Sequence, residues 1–334
     1  MSGAVVYTRG MTEGSEHAAD RPVRAIALMN QKGGVGKTTT AVNLAAGIAR
    51  LGRRVLLVDL DPQAHASLHV GVEAGADDPT AYDLLLEPEL GVAGVARSVD
   101  ENLDVIPAET DLAAVESELS GAADRNRRLA RALRTGGAGH EFVIFDCPPA
   151  LGLLTLNALA AAHEVLVPMQ AHYLALQGVG KLLETVGLMR DRVNPALRVA
   201  GVVLCMHEQQ TNLSKEVVAD LEGFFEAARG TDAAWASARV YRPAVRRNIK
   251  LAECPSFGQT IFQYEPGAAG AEDYAALAST LVREWDRALG SSGVSSGGSS
   301  GGSSDGSDLS DAEIRVLRGA PATPGAGSRG AGAE

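Results

Sequence analysis

Residues 23–63 read VRAIALMNQKGGVGKTTTAVNLAAGIARLGRRVLLVDLDPQ, and this stretch decides the fold. The apolar run at 23–28 predicts a buried strand, and the Ala-rich run at 37–51 predicts a helix that stops at Gly52. A second apolar run at 55–58 predicts the next strand. The order strand, glycine-rich turn, helix, strand is that of a βαβ unit.

The turn QKGGVGKTT lies between a strand and a helix, which is where a phosphate-binding loop must lie. Its glycines let backbone N–H groups face phosphates, and the helix N-terminus adds partial positive charge. Lys37 can reach the β and γ oxygens, and Thr38 offers a hydroxyl to magnesium. Gln31 replaces the usual first glycine, and Lys32 adds a second lysine. We predict that a nucleoside triphosphate binds to Lys32, Gly33, Gly34, Val35, Gly36, Lys37, Thr38 and Thr39.

Two apolar strands end in aspartates. VLLVDLDPQ carries Asp59 and Asp61, and FVIFD carries Asp146. The carboxyl ends of parallel strands meet at one edge of a sheet, where ligands bind. One of the first two carboxylates would hold or orient magnesium-bound water, and the other would position the attacking water. Asp146 is the expected magnesium partner.

Further buried strands are predicted at 103–106, 142–145, 165–167 and 199–204, separated by segments of helix length. This alternation predicts an α/β fold with a mostly parallel twisted sheet and helices on both faces.

The composition limits the kinds of surface, metal site and cellular location that the chain can have. The 334 residues are 46% hydrophobic with a net charge of −11, which excludes a uniformly basic, nucleic-acid-packaging surface but leaves room for a local basic patch. Cys147, Cys205 and Cys254 lack paired spacing, so neither a disulfide framework nor a zinc site is predicted. No secretory signal is recognised, and polar residues interrupt the apolar stretch 151–169, so no transmembrane helix is predicted. We expect a cytoplasmic protein.

The ends differ from the centre in composition. Residues 1–22 are polar with little periodicity, which predicts a flexible extension, and residues 290–334 begin with a Ser/Gly-rich linker. Residues 308–318 (DLSDAEIRVLR) could form a short capped helix, although a disordered tail or docking peptide is favoured. Residues 23–289 are predicted to form a single ATPase domain.

The chain resembles the ParA/MinD family of deviant-loop (deviant Walker A) P-loop NTPases, and within it the ParA (Soj-like) branch that partitions chromosomes and plasmids. The resemblance rests on NQKGGVGKTTTAVNLAAGIARLGRRVLLVDLDPQ, FVIFDCPPALGLLTLNAL, TNLSKEVV and RRNIKLAECPSFGQTIF with GAEDYAALA. It implies a homodimer that closes on ATP and Mg²⁺ and binds DNA without sequence preference on the nucleoid. A ParB-like partner would stimulate hydrolysis and release.

The resemblance also implies roles for single residues. Lys32 would be the signature lysine that crosses the dimer to the partner's phosphates. Lys37 and Thr38 would bind phosphate and magnesium, and Asp61 would position the hydrolytic water.

Three further residues complete the implied site. Asp146 would be the acidic residue of the second strand motif, and Asp59 a further residue around the magnesium. Asn248 is the candidate for holding adenine.

Five cations fall within twelve residues, and such a cluster could contact DNA phosphates. A solvated face paired with acidic neighbours is the alternative. We predict a DNA-binding surface of Arg242, Arg246, Arg247 and Lys250, which omits Arg239. The family's arginine before TNLS is Gln210 here, and its later DNA-contacting arginine is Lys250, which weakens the prediction.

His65 and His69 lie four residues apart and suggest a metal site, but a surface helix beside the phosphate loop is favoured.

Other functions stay open. A membrane-cycling, MinD-like regulator would need a basic amphipathic C-terminal helix, whereas 308–318 has more acidic than basic residues. A cluster carrier would need paired cysteines. The sequence does not distinguish an ATPase that partitions chromosomes or plasmids from a ParA-like ATPase that positions another cargo.

Overall fold

The computed structural model describes residues 22–135, 139–172, 175–208 and 212–293. The predicted N-terminal extension up to residue 21, the C-terminal segment 308–318 and Gln210 lie outside the described residues. Within the described part, eight strands form one sheet. They are β1 (Arg24–Leu28), β2 (Val55–Asp59), β3 (Arg97–Asp100), β4 (Leu103–Ile106), β5 (Phe142–Asp146), β6 (Glu164–Met169), β7 (Arg198–Leu204) and β8 (Arg239–Val240).

The sheet confirms the predicted parallel topology. The strand order is β3-β4-β2-β5-β1-β6-β7-β8, and all neighbours are parallel except β3 and β4. The strands in the middle are buried on both faces because they are continuous runs of Val, Leu, Ile, Ala and Phe. The carboxyl ends of β1, β2 and β5 therefore lie side by side at the centre of one edge.

Helices cover both faces of the sheet. They are α1 (Lys37–Arg50), α2 (His65–His69), α3 (Ala81–Leu86), α4 (Gly91–Val95), α5 (Val115–Glu118), α6 (Arg128–Arg134), α7 (Leu153–Ala161), α8 (Ala175–Arg192), α9 (Asn212–Ala228), α10 (Lys250–Glu253), α11 (Ile261–Tyr264) and α12 (Ala269–Gly293). One face carries α1 and α12, and the other carries α7, α8 and α9, each over its own hydrophobic cluster. Within the described part of the chain, no helix combines the length and apolar composition that a bilayer span requires.

Helix α1 fixes the centre of the first face. It begins after Gly36 and ends before Gly52, both at positive φ, where a side chain would be strained. A Cβ added at Gly47 would lie 2.9 Å from the Cβ of Ala278, so glycine lets α1 and α12 approach closely. Helix α12 continues to Gly293, past residue 289 where the sequence places the end of the domain.

Two strands were missed by the sequence analysis. Strand β3 is a half-exposed edge strand with the sequence RSVD, and β8 has only two residues. Neither presents a long apolar run, so the periodicity that identifies the central strands is absent from both.

Candidate functional site

The predicted phosphate loop lies between β1 and α1, at the carboxyl edge of the sheet. Its residues 31–34 are exposed, whereas Val35 and Lys37 are buried. The loop is anchored at its start by Asn30, whose Oδ1 accepts a hydrogen bond from the Lys32 backbone N–H (3.0 Å). The Asn30 amide in turn donates to the Pro168 carbonyl at the end of β6 (2.8 Å). The Lys32 side chain therefore starts from an exposed, fixed backbone.

The other end of the loop packs against β7. Gly36 is at φ 93°, and a Cβ there would lie 3.3 Å from the Cβ of Cys205. One turn into α1, the Thr40 hydroxyl lies 3.0 Å from the Tyr274 hydroxyl and 3.4 Å from the Cys205 Sγ. These buried contacts hold the first turn of α1, whose free N–H groups face the loop.

Asp59 and Asp146 end the neighbouring strands β2 and β5 and are paired in register. Both side chains are fully buried. Neither oxygen of Asp146 accepts a hydrogen bond from a described residue. Burial, followed by the charge of Asp59, holds the pKa of Asp146 well above its usual range, while the Thr38 hydroxyl and the Lys37 ammonium lower it.

Asp59 is held by hydrogen bonds. Its Oδ2 accepts from the Ser67 backbone N–H (2.9 Å) and hydroxyl (2.8 Å), and its Oδ1 accepts from the Asp61 backbone N–H (3.1 Å). Burial raises the pKa of Asp59 to about 6 although these bonds lower it. Ser67 Oγ also accepts from the Ala108 N–H (3.0 Å), which links the site to the segment after β4. Asp59 therefore organises the loop that carries Asp61.

Asp61 differs from the other two aspartates because it is half-exposed. Its Oδ1 accepts a hydrogen bond from the Gln63 backbone N–H (3.1 Å), and its Oδ2 has no hydrogen bond to a described residue. A carboxylate with one anchored oxygen and one open oxygen at the sheet edge can orient a water molecule.

A magnesium ion would fit beside Asp146. Two buried oxygens without a donor are stabilised by a cation, and the Thr38 hydroxyl is close by. Within the described residues no group of three or more His, Cys, Asp and Glu side chains could by itself hold a metal ion. Mg²⁺ is usually bound through one or two carboxylates together with substrate phosphates and water, and Asp146 is a carboxylate that could take this part.

The adenine candidate belongs to a different segment of the chain. Asn248 follows β8, and its Oδ1 accepts a hydrogen bond from the Lys250 backbone N–H (2.8 Å). Its role in holding adenine stays a prediction.

The predicted DNA-binding cations are all paired with carboxylates of the same chain. Arg242 pairs with Glu222 (2.9 Å), Arg247 with Glu208 (3.1 Å) and Lys250 with Glu253 (2.8 Å). Arg239, in β8, pairs with Glu284. These ion pairs are those of the predicted alternative, a charged face paired with acidic neighbours.

Arg246 is held more firmly than its neighbours. Its guanidinium donates to both oxygens of the buried Asp273 and to Glu272, and its backbone N–H also donates to Asp273 (2.9 Å). This side chain joins the segment to α12, so it is a structural residue as well as a cation. We use the name cation segment for residues 242–250.

The two histidines lie on the predicted short helix, but only one of them is at the surface. His65 is exposed, but His69 is buried, with its Nε2 3.4 Å from the Cys254 Sγ. Burial lowers the pKa of His69 to about 4. The short helix α2 packs against the segment after α10, so one side of it belongs to the core.

Sequence reasoning missed the residues that support this site. Asn30 and Ser67 each hold a predicted residue through a hydrogen bond. Asn30 lies two residues after the end of β1, and this position next to a strand end was the available signal, whereas Ser67 lies eight residues after β2 and carried no such signal.

A glycine-rich loop between the central strand and its helix, facing aspartates at the ends of neighbouring strands, defines a P-loop NTPase. The family model described as an AAA domain matches residues 23–199. The chain is 42% identical to the sporulation initiation inhibitor protein Soj of Bacillus subtilis over 255 residues, covering 76% of this chain and 96% of that one. It is 45% identical to the chromosome-partitioning ATPase Soj of Thermus thermophilus over 260 residues, covering 78% and 96%.

A solved structure of similar fold carries a nucleotide. It is the structure of cobyrinic acid a,c-diamide synthase from Mycobacterium smegmatis with bound ADP and magnesium. Its sequence is 33% identical to this chain, and the two structures superpose with a TM-score of 0.65 over 79% of this chain and 96% of that one. The chain belongs to the ParA/MinD family of deviant-loop ATPases, in its ParA (Soj-like) branch.

Proposed function

We propose that this chain is an ATP-dependent partitioning ATPase of chromosomes or plasmids. The observation that supports it is the pair of buried aspartates at the ends of β2 and β5, close to the Lys37 and Thr38 side chains. One of the two, Asp146, accepts no hydrogen bond from the described residues. The names of the Soj relatives point to the same function. The similar structure titled as a synthase supports the use of a nucleotide and magnesium.

In this proposal each residue of the site has one task. Lys37 would neutralise the β and γ phosphates, and Thr38 and Asp146 would hold the Mg²⁺, which would supply charge stabilisation at the transferred phosphate. Asp61 would orient the attacking water with its open oxygen, while Asp59 fixes the loop that carries Asp61 and would be a further residue around the magnesium. Asn248 would hold adenine.

We further propose that ATP closes a homodimer. Lys32 is exposed on an anchored backbone and so is free to cross to the phosphates of a second subunit. Closure brings the cation segments of both subunits together, and avidity makes DNA binding depend on ATP. A ParB-like protein would stimulate hydrolysis and return the subunits to the cytoplasm from the nucleoid. The cargo could also be another complex.

The surface ion pairs do not oppose this role strongly. Exposed pairs such as Arg247 with Glu208 contribute about 0–1 kcal/mol each, so DNA phosphates can replace the carboxylates. The buried partner of Arg246 makes that exchange unfavourable. We therefore expect Arg242, Arg247 and Lys250 to supply most of the DNA contacts, and Arg246 to supply fewer.

The test is binding to random duplex DNA over a salt series, with ATP and with ADP. Tight binding is expected with ATP only. Each lost phosphate contact lowers the salt slope by about 0.9, so Arg247→Ala should remove roughly two units from a dimer. Arg134→Ala, an exposed arginine of α6 without an ion pair to a described residue, is the matched control. Equal affinity in both nucleotide states would refute the proposal.

A further inference from the structure

A glutamine side chain from the end of β6 reaches the middle of the phosphate loop. Gln170 directly follows Met169, the last residue of β6, and its Nε2 lies 3.5 Å from the Gly34 carbonyl oxygen. This is a long hydrogen bond, as is common in a functional site before its ligand is bound. The same strand end also receives the Asn30 amide at the Pro168 carbonyl, so β6 contacts both the start and the middle of the loop.

Two neighbouring side chains fix the direction of the Gln170 amide. Its Nε2 donates to the Met206 Sδ (3.0 Å), and its Oε1 lies 2.5 Å from the His172 Nε2. A carbonyl oxygen and a thioether both need a donor, so the amide nitrogen must face Gly34 and Met206. The amide oxygen then faces His172, which donates to it from Nε2.

Met206 holds its place beside Gln170 in an uncommon backbone conformation. Its φ is 50°, in the left-handed region that residues other than glycine rarely adopt. The preceding Cys205 N–H donates to the Met169 carbonyl (2.7 Å), which ties this turn to the strand that carries Gln170. A Cβ added at Gly36 would lie 4.0 Å from the Met206 Cε, so Met206 also lies beside the other end of the loop. Backbone conformations of this kind cluster at ligand sites, where the surrounding contacts maintain them.

The contact with Gln170 determines which way one peptide of the loop points. The Gly34 carbonyl and the Val35 N–H belong to the same trans peptide, so they point in opposite directions. A donor on the Gly34 oxygen therefore turns the Val35 N–H away from Gln170. Gly34 is at φ 71° and has no side chain, so its own conformational preference does not fix this peptide. The N–H groups of a phosphate loop bind phosphates only when they face the ligand.

We propose that Gln170 is a positioning residue for nucleotide binding. Its amide holds the Gly34–Val35 peptide in the orientation that presents the Val35 N–H to the phosphates of a nucleoside triphosphate or diphosphate. His172 acts through Gln170, because it keeps the amide nitrogen turned toward the loop. The inference rests on the proposed use of ATP, and it adds to the site two residues that lie outside both the phosphate loop and the aspartate strands.

The experiment measures the affinity of the full chain for ADP and Mg²⁺ by calorimetric titration. ADP carries the phosphates that the loop N–H groups bind, and under the proposed function it does not close the dimer. Gln170→Met keeps the size of the side chain and removes its donor, so it should weaken binding by about three- to tenfold, as expected for one hydrogen bond. His172→Ala should weaken binding by about threefold in the wild type. In the Gln170→Met background it should change the affinity by less than about 1.5-fold, because no amide remains to be oriented.

A second measurement follows the peptide itself by NMR. Labelling with ¹³C′-glycine and ¹⁵N-valine selects the amides of valines that follow a glycine, of which the sequence has seven. Val35→Ile identifies the Val35 signal by its loss. Without nucleotide, this signal should move in Gln170→Met, and its shift on addition of ADP should be smaller than in the wild type. The signal of Val92, in α4, should stay in place. An unchanged Val35 signal would show that the peptide does not depend on Gln170 and would overturn the proposal.

The matched control is Gln259→Met, the same substitution at an exposed glutamine outside the loop, and its affinity should stay within about 1.5-fold of the wild type. If Gln170→Met changes the circular dichroism spectrum, Gln170→Ala takes its place with the same expectations. A wild-type chain that binds no ADP would overturn both the proposed function and this inference. Normal binding in the wild type with an unchanged affinity in the Gln170 variant would overturn this inference alone. Equal weakening by Gln259→Met, or by His172→Ala in both backgrounds, would also overturn it.

Discussion

Replacing Asp146 with asparagine keeps the shape of the side chain and removes its charge. Both carboxylate oxygens are buried without a hydrogen-bond donor among the described residues, and Asp59 stands beside them. Ionised Asp146 therefore destabilises the folded, nucleotide-free chain. We expect Asp146→Asn to raise the free energy of unfolding of the protein in EDTA.

The size of the effect follows from the burial. Asparagine stays a buried polar side chain, so the substitution removes only the extra cost of burying the charge, which we take as about 1–3 kcal/mol, or about 2–12 °C in Tm for a domain of this length. Burial and Asp59 raise the pKa of Asp146 in the folded state, which means that the folded chain binds this proton more tightly than the unfolded chain. The penalty is complete above the folded pKa and disappears below the unfolded pKa. The advantage of Asp146→Asn should therefore shrink as the pH falls.

Thermal and urea denaturation in EDTA, at about pH 8 and at stepwise lower pH, measure this advantage. Asp61→Asn is the control, since Asp61 is half-exposed and one of its oxygens is already hydrogen-bonded. With ATP and Mg²⁺ at about 100 times Kd, the free energy of unfolding of the wild type should rise by about 2.7 kcal/mol. In Asp146→Asn, most of the part of this rise that depends on magnesium should be absent. A variant less stable than the wild type in EDTA would refute the reasoning, because the carboxylate would then be compensated in the folded state.

Four further outcomes are expected. Lys37→Ala should abolish nucleotide binding in a calorimetric titration, since it removes the buried cation of the loop; wild-type affinity would contradict its role. Asp61→Ala should keep ATP binding but slow hydrolysis, so that an ATP-bound dimer accumulates in light scattering, whereas a monomer with normal turnover would exclude this assignment. Lys32→Ala should bind ATP as a monomer, and an ATP-dependent dimer of normal strength would show that Lys32 does not cross the interface. Arg246→Ala should lower the midpoint of urea denaturation because the buried Asp273 loses its ion pair and keeps only the backbone N–H of residue 246, and an unchanged midpoint would show that Arg246 is only a surface cation.

The central part of the fold could be predicted because its signals are local. Apolar runs at 23–28 and 55–58, with Gly52 between them, determine β1, α1 and β2 without reference to distant residues. The edge strands β3 and β8 depend on pairing with their neighbours, and their own sequences carry no apolar pattern. The sequence also predicted that Asp59 and Asp146 lie close together, because both end parallel strands and the carboxyl ends of parallel strands lie at one edge of the sheet.

The partners of charged residues could not be predicted because they come from distant parts of the chain. Glu222 and Asp273, which neutralise Arg242 and Arg246, lie 20 and 27 residues away in sequence. The sequence shows only five neighbouring cations, and nothing in that run separates a structural arginine from an exposed one. His69 is a similar case, since its burial results from the distant Cys254.

The end of β7 joins the phosphate loop to the cation segment. Cys205 packs against Gly36 of the loop, and two residues later His207 forms a parallel bridge with Arg246. Arg246 is fixed in turn to α12 through Asp273, so the position of the segment is set by the strand end and by that ion pair. A rearrangement of the loop thus reaches the segment along one short stretch of backbone. Arg247, whose side chain is 67% exposed, follows this anchor directly, so under the proposed function we expect its DNA contact to depend most strongly on the nucleotide state.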